Sequence, residues 1–387
     1  MFRVRAGFRP KLVYFILNSI LYSSWLLGIF PFIYEPQKRR LHRSKWLLLY
    51  GFVLNSGLLF LMLKHEGETK GNEGKLDVFE RNFVLKQISL LLGVVGVLAI
   101  CTIYVRTFWR SKNLESIYNE LMQLERRYFY SNAVKCQTFD AYVIQKGLLI
   151  VGGVASSIVV HFGAPTQSLP ISYLIVVTLI KLGTFLLAIH FHLGVAFIYR
   201  FLWSINRELL DLASYLRVHP SGGSSRIRLL LKLYRELVDL YGRLTDCYDY
   251  QTALMMIVFL AANIIVSFYI IVYTVSLSKM SFFAMVIMFP LALLNNFLDF
   301  WLSIAMCDLV ERTGRQTSMI LKLFNDIENM DKALEMSISD FALLCSHRRF
   351  KFLHCGLFYV NREMGFQMLV TSFLYLLFLV QFDFMNL

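Results

Sequence analysis

The sequence predicts an all-α membrane protein: seven transmembrane helices with a cytoplasmic N-terminus, an extra N-terminal re-entrant helix and long cytoplasmic helices. Three observations carry this. The chain is 57% hydrophobic and only 17% charged, against roughly 45–50% apolar and 25% charged in a soluble domain, which excludes a water-soluble globule. Its apolar residues gather in runs of about twenty, enough to cross a hydrocarbon core ~30 Å thick at 1.5 Å per residue. Its basic residues are distributed unevenly around those runs, and that bias sets orientation. A net charge of +13 would point to nucleic acid in a soluble chain; here it is accounted for by orientation, and no nucleic-acid partner is expected.

The runs are Leu12 to Tyr34, Trp46 to Leu63, Phe83 to Val105, Val143 to Phe162, Ile171 to Tyr199, Ala253 to Leu277, Phe282 to Cys307 and Gly365 to Phe382. If all but the first cross, 31 Lys and Arg face the cytoplasm and 5 the opposite side. Letting Leu12 to Tyr34 cross as well would put one basic flank, residues 1–11 or 35–45, on the wrong side. It is therefore read as a helix that dips into the inner leaflet and returns. The interruptions Asn18, Ser19, Ser23, Ser24, Gly28 and Pro31 suit that role, with Glu35-Pro36 and Lys38-Arg39-Arg40 at the headgroups. The rival reading is an uncleaved signal anchor following Arg3, Arg5, Arg9 and Lys11; no small-x-small cleavage site ends the run. The chain then divides into an N-terminal segment with the re-entrant helix (1–45), spans one to four (46–199), cytoplasmic anchor helices (200–252), spans five and six (253–307), further anchor helices (308–362) and a seventh span (363–387).

The mass outside the bilayer lies in the long inner segments. Leu233, Leu237, Leu240 and Leu244 recur at spacings of four, three and four, with Lys232, Arg235, Glu236 and Asp239 between them, which is an amphipathic helix. A further helix is expected over Thr317 to Met336. Another is expected after a Ser339-Asp340 cap, carrying Phe341, Leu344, Phe350, Phe352 and Leu353 toward the last span. Such faces need buried partners, either within one chain or as a base shared by four. The six cysteines all fall on the inner side, where thiols stay reduced. Their spacing with the histidines matches no zinc pattern, so neither metal nor cofactor is expected.

An enzyme would need a nucleophile, a metal or a carboxylate pair poised in a cavity, and the spans offer mostly single polar residues, so enzymatic function is not expected. Asp299 is the costliest of these, about eight residues from the inner end of its span, and it requires a partner. By depth His190 or Lys146 could supply one, while Lys181 lies nearer the outside; equally, a neutral Asp299 could bond to Asn295 or Asn296. His161, His190 and His192 are read as satisfied polar residues, and Glu125-Arg126-Arg127-Tyr128 as a solvated helix face. The outer halves carry Ser156, His161, Tyr173, Thr178, Ser267, Tyr269, Tyr273, Thr274, Phe282 and Phe283, and three or four of these are expected to line a small-molecule pocket. A G-protein-coupled receptor has the opposite orientation, and no Asn-Pro pair occurs in the chain.

The last span ends Leu374-Tyr375, five apolar residues, Gln381-Phe382. This resembles the signature of the insect gustatory receptors, Thr-Tyr, five apolar residues, Gln-Phe, with Leu374 in place of the threonine and Thr371 and Ser372 close by. The likeness extends to the Ser-Ser-Trp-Leu-Leu-Gly-Ile-Phe-Pro-Phe stretch, the long inner loops and the Gly356 to Glu363 run, and is strongest to a fruit-fly subgroup assigned to bitter taste. The seven-span pattern is shared with the olfactory receptors. The resemblance implies a ligand-gated cation channel in the plasma membrane of a sensory neuron. It would be a homo- or heterotetramer with other gustatory receptors, opened by a small-molecule tastant, with the seventh spans around one pore among membrane lipid. It further implies that Gln381 and Phe382 occupy gate positions and that Tyr375 is the signature tyrosine.

Leu374, Leu377, Phe378 and Gln381 share one helical face, so four copies would set greasy rings below a polar one, able to close a pore by dewetting. Asp383 lies about 160° round the helix from Gln381, which suits a solvated helix end. A carrier or metabotropic receptor of the same inverted layout is the alternative; a carrier should show paired broken helices, and only Pro290 interrupts a deep span.

Overall fold

The computed structural model describes residues 7–35, 37–38, 40–72, 83–129, 136–163, 170–218, 223–276, 287, 289–327 and 330–385. Helix α1 (Phe8–Leu26) leads through a hairpin of β1 (Phe32–Glu35) and β2 (Arg40–Arg43), Phe32 opposite Arg43, into α2 (Lys45–Asn72). There follow α3 (Phe83–Trp109), α4 (Ser111–Leu124) with a π-turn at Glu125–Phe129, α5 (Gln137–Gly163), α6 (Ile171–Val218), α7 (Ser224–Ser276) and α8 (Phe289–Lys322). Helix α9 (Lys332–His347), a second hairpin of β3 (Leu353–His354) and β4 (Phe358–Tyr359), and α10 (Arg362–Met385) complete the order. The long helices α2, α3, α5, α6, α7, α8 and α10 coincide with the seven predicted crossings. Five of them are long and apolar enough to cross among the described residues, and a sixth is reached if α3 and α4, bent 65° to one another, count as one.

The fourth span and its cytoplasmic continuation are one 48-residue helix, α6, and the fifth span and its amphipathic approach are one 53-residue helix, α7. At 1.5 Å per residue these rods measure about 72 and 80 Å, more than twice the hydrocarbon thickness. Their inner halves make the core. Leu202, Ile205, Leu209, Leu212 and Leu216 of α6 and Leu230, Leu233, Leu237, Leu240 and Leu244 of α7 recur at spacings of three and four and are buried against one another. One polar cluster crosses this core: the Thr317 hydroxyl of α8 donates to Asn206 Oδ1 at 2.6 Å, and Asn206 Nδ2 donates to the Thr313 carbonyl at 2.9 Å.

Two expectations need correction. The helix predicted over Thr317 to Met336 is broken, because α8 stops at Lys322 and turns before α9. The cap of α9 is Asp331, whose carboxylate accepts from the Ala333 N–H, whereas Ser339 and Asp340 lie inside the helix and Phe350 and Phe352 lie beyond it. The interruption expected at Pro290 falls at the edge of what is described: Pro290 is the second residue of α8, and residues 277–286 and 288 before it lie outside the described residues.

Helix α1 lies across the bundle. Ile16 packs on Gly147 of α5, while Ser24 bonds His190 of α6. Gly147 is eight residues above Phe139, His190 is ten residues above Arg200, and the Arg200 guanidinium sits over the Phe139 ring. Both ends of this eight-residue stretch therefore sit at nearly the same depth, about 12 to 15 Å from the Arg200 level. The helix ends at Leu26, earlier than the predicted run, because Gly28 turns back with φ +64°. A Cβ there would stand 2.3 Å from the Gly51 backbone of α2, so only glycine permits the approach. Asn55 Nδ2 then donates to the Leu27 carbonyl at 3.0 Å, satisfying a helix-end acceptor inside the bundle.

Candidate functional site

The terminal helix is held from below and along one side. At its base the buried carboxylate of Asp308 lies 3.1 Å from Arg362 Nε, and Asn361 Oδ1 accepts the Met364 N–H at 2.8 Å as a cap. Along its length Leu379 is buried against Phe268 of α7, with Ile264, Leu376 and Val380 around them. The other side is not covered by any of the described residues. Gln367, Thr371, Leu374, Phe378 and Gln381 are all exposed, and their spacings of four, three, four and three place them on one continuous stripe. Leu374 is 60% and Phe378 57% exposed, Tyr375 and Leu377 stand beside them, and half-buried Phe382 lies 6.3 Å from the Phe378 ring.

The hairpin that feeds this helix carries a buried histidine. His354 is fully buried, its Nδ1 3.3 Å from Asp249 Oδ1 of α7, an oxygen that also accepts the Cys355 N–H at 2.6 Å. Burial holds the imidazole below its ordinary pKa, against the upward pull of Asp249. Cys355 and Gly356 turn the strand through left-handed conformations (φ +51° and +68°).

Deep in the bundle the partner of Asp299 is Lys146. Its Nζ, on a side chain 3% exposed, lies 2.6 Å from Asp299 Oδ1 and 2.8 Å from Ser303 Oγ, joining α5 to α8. The neutral arrangement with Asn295 or Asn296 is not the one observed. Asn295 Nδ2 donates to the Leu149 carbonyl at 3.1 Å and Asn296 reaches Asn263 of α7, while His190 bonds Ser24 Oγ at 2.9 Å.

The expected outer pocket is described only in part. The side chains of His161, Tyr269, Tyr273 and Thr274, and residues Phe282 and Phe283, lie outside the described ones. Ser156 Oγ donates to the Gly152 carbonyl of its own helix. Tyr173 packs with Leu58, Met62, Val176 and Ile180 between α2 and α6, its ring 5.8 Å from His65. Thr178 and Ser267, on α6 and α7, are half-buried, Ser267 beside the Phe268 contact with α10.

A cavity unforeseen from the sequence opens on the inner side between α1, α4 and α6. It encloses about 850 Å³ including its open mouth, walled by Leu17, Leu21, Phe30, Leu193 and Phe197, with His190 at one end and Glu125 and Arg126 at the other. Glu125 and Arg126 are therefore not a solvated face. Glu125 Oε1 accepts from Arg200 NH2 at 2.9 Å, and Arg126 donates to the Tyr34 hydroxyl at 3.0 Å. The signal that could have located them is the stripe Leu114, Ile117, Leu121, Leu124, buried at spacings of three and four directly before them.

The 7tm Chemosensory receptor family model matches residues 17–386 of this chain. Over all 387 residues of both chains, 67% are identical to gustatory receptor 22d of Drosophila melanogaster. The chain belongs to the gustatory receptors of that family. It is also 46% identical to the "gustatory receptor for bitter taste 22e" of Drosophila melanogaster, over 99% of this chain and 98% of that one. Among solved structures it is similar in fold to the insect olfactory receptor OR5 from Machilis hrabei, with a TM-score of 0.71 at 15% identity, covering 95% of this chain and 98% of the other. The complex of that olfactory receptor with eugenol superposes with a TM-score of 0.70. All six cysteines of this gustatory receptor are free thiols.

Proposed function

We propose that this gustatory receptor is a ligand-gated, non-selective cation channel for bitter or other small-molecule tastants. It would act in the plasma membrane of a sensory neuron as a homo- or heterotetramer. The observation that supports this best is the uncovered stripe of α10. Gln367, Thr371 and Gln381 flank Leu374 and Phe378 there on a face that nothing among the described residues covers. Side-chain amides facing hydrocarbon leave donors and acceptors unpaired, whereas the same stripe facing a central aqueous axis wets its amides. Four such helices would place rings of Leu374 and Phe378 beneath a ring of Gln381, a constriction that dewets when narrow and conducts when wider.

The exposed apolar residues of the cytoplasmic rods, among them Leu210, Tyr215, Val218, Leu229 and Met319, suit a base shared between subunits. A tastant held in the outer half of the bundle would open the gate only by binding the open arrangement more tightly than the closed one. The channel belongs at the surface of the neuron because its ligand arrives from outside.

Recording from inside-out patches without nucleotides tests this. Ligand-evoked single-channel steps are expected when a panel of alkaloids and other bitter compounds is supplied in the pipette, and silence at a verified surface density refutes the channel. Gln381→Ala should change unitary conductance or raise the leak; unchanged conductance, threshold and leak would remove this residue from the gate.

A further inference from the structure

We propose that the inner cavity is a site for an anionic phospholipid of the cytoplasmic leaflet, with one acyl chain inside the cavity and the acidic headgroup at Arg126. The walls decide the class of occupant. Leu17, Leu21, Phe30, Leu193 and Phe197 offer a hydrocarbon surface, and the polar groups around it are largely engaged: His190 with Ser24, the Tyr118 hydroxyl with the Tyr248 hydroxyl at 2.8 Å, and Glu125 with Arg200. Such a lining rewards a chain of methylenes and gives little orientation to a small polar molecule.

The depth fits one leaflet. His190 marks the deep end and Arg200 the level of the charged rim, ten residues along α6, so the space spans about 15 Å, half of a hydrocarbon core ~30 Å thick. Its roof is α1, which lies across the bundle at that depth and turns Phe15 and Tyr22 outward. A chain entering beneath α1 runs parallel to its neighbours in the leaflet.

The rim supplies the charge. The first hairpin is fastened to α4, where Asn119 accepts the Leu41 N–H at 2.7 Å and donates to the Leu41 carbonyl at 2.9 Å. The Tyr34 hydroxyl of the same hairpin accepts from Arg126 at 3.0 Å, so the hairpin that carries Arg40 and Arg43 reaches the turn that carries Arg126 and Arg127. Three carboxylates in the same region face basic groups, Glu35 with Lys38 at 3.1 Å, Glu115 with His42 at 3.7 Å and Glu125 with Arg200 at 2.9 Å, against Lys38, Arg40, Arg43, Arg126, Arg127 and Arg200. The surplus is cationic and stands at headgroup level, where each basic residue draws acidic lipid. Occupancy would join α1, α4 and α6, the three elements between the N-terminal segment and the core.

The test uses the full-length receptor in nanodiscs of phosphatidylcholine, with trace phosphatidylserine or phosphatidylcholine bearing a diazirine on one acyl chain, and maps the cross-linked peptides by mass spectrometry. The phosphatidylserine probe is expected to label residues 17–21 of α1 and 190–197 of α6. Arg126→Gln should lower that labelling roughly fivefold and leave the phosphatidylcholine probe unchanged, while Leu193→Trp should lower both. Leu21→Trp fills the same space from α1 and keeps the test independent of whether α6 accepts the larger ring. Labelling confined to the outward face of α1, or unaltered by all three substitutions, overturns the site. So does equal labelling by both probes, which removes the headgroup preference. A free fatty acid probe that displaces phosphatidylserine at equal concentration overturns the phospholipid as occupant.

Discussion

Helices α6 and α10 are both apolar spans, yet the most apolar window of α6 is 44% buried within the chain and that of α10 only 11%. Burial of α6 comes from its neighbours in the same chain, α5, α7 and α8, packed around positions three and four apart. Among the described residues, helix α10 has neighbours on one side and shows a mixed stripe of amides and large apolar groups on the other. Equal greasiness can therefore mean opposite things. One helix is the structural mast of the subunit, and the other has a face left uncovered by the described residues.

Breaking the mast side should have the largest effect. Lys146→Ala leaves the Asp299 carboxyl without its partner between α5 and α8, and removal of one partner of a buried pair costs about 3–5 kcal/mol. Thermal unfolding of the purified receptor should show a large drop, and Lys146→Met with Asp299→Leu should recover most of it. A double variant no more stable than Lys146→Ala alone would mean that Asp299 is supported by something other than Lys146. Next in size, Leu237→Ala in α7 removes a fully buried side chain and should cost about 2–5 kcal/mol. A loss below about 1 kcal/mol would show that the cytoplasmic core collapses around the gap.

The same contrast separates what was legible in the sequence from what was not. Local periodicity showed the seven runs, the Leu233 to Leu244 face and the one-sided stripe of α10, because helical spacing is a property of neighbours in the chain. The start of α9 was misplaced because Ser339-Asp340 looks like a cap by residue type. The buried set Leu334, Ile338, Phe341 and Cys345 runs straight through it at spacings of four, three and four, so packing prevailed over local capping. Pairings across the fold were beyond reach. Lys146 and Asp299 are 153 residues apart, and Arg126 and Tyr34 are 92 apart. Only the bundle brings them together, and a charge that is paired reads in sequence just like one that is solvated.

The junction between the two regions should respond to pH. His354 is buried below its ordinary pKa and so binds fewer protons folded than unfolded. Stability must then be full above the unfolded value of about 6.5 and fall as pH drops through it, by at most about 1.4 kcal/mol per pH unit. Asp249, Cys355 and His192 are the titratable groups nearest the ring. Unfolding midpoints measured from pH 7.5 to 5 should decline more steeply for the native receptor than for His354→Phe. Parallel curves would assign the decline to other groups.

The smallest effect on folding should be found on α10, and that smallness is what sharpens the contrast. Phe378→Ala truncates a side chain that is 57% exposed within the chain, so the single subunit should lose less than about 0.5 kcal/mol, as exposed positions do. In the assembled channel the same change removes an apolar ring from the constriction, which widens and wets more readily. Unfolding in detergent at a concentration that keeps subunits apart should match the native protein, while the same variant in patches should leak without ligand. Two other results would contradict the arrangement. A large loss in the isolated subunit would mean that the face is covered within one chain, and a stable variant with an unaltered closed state would place the stripe against lipid.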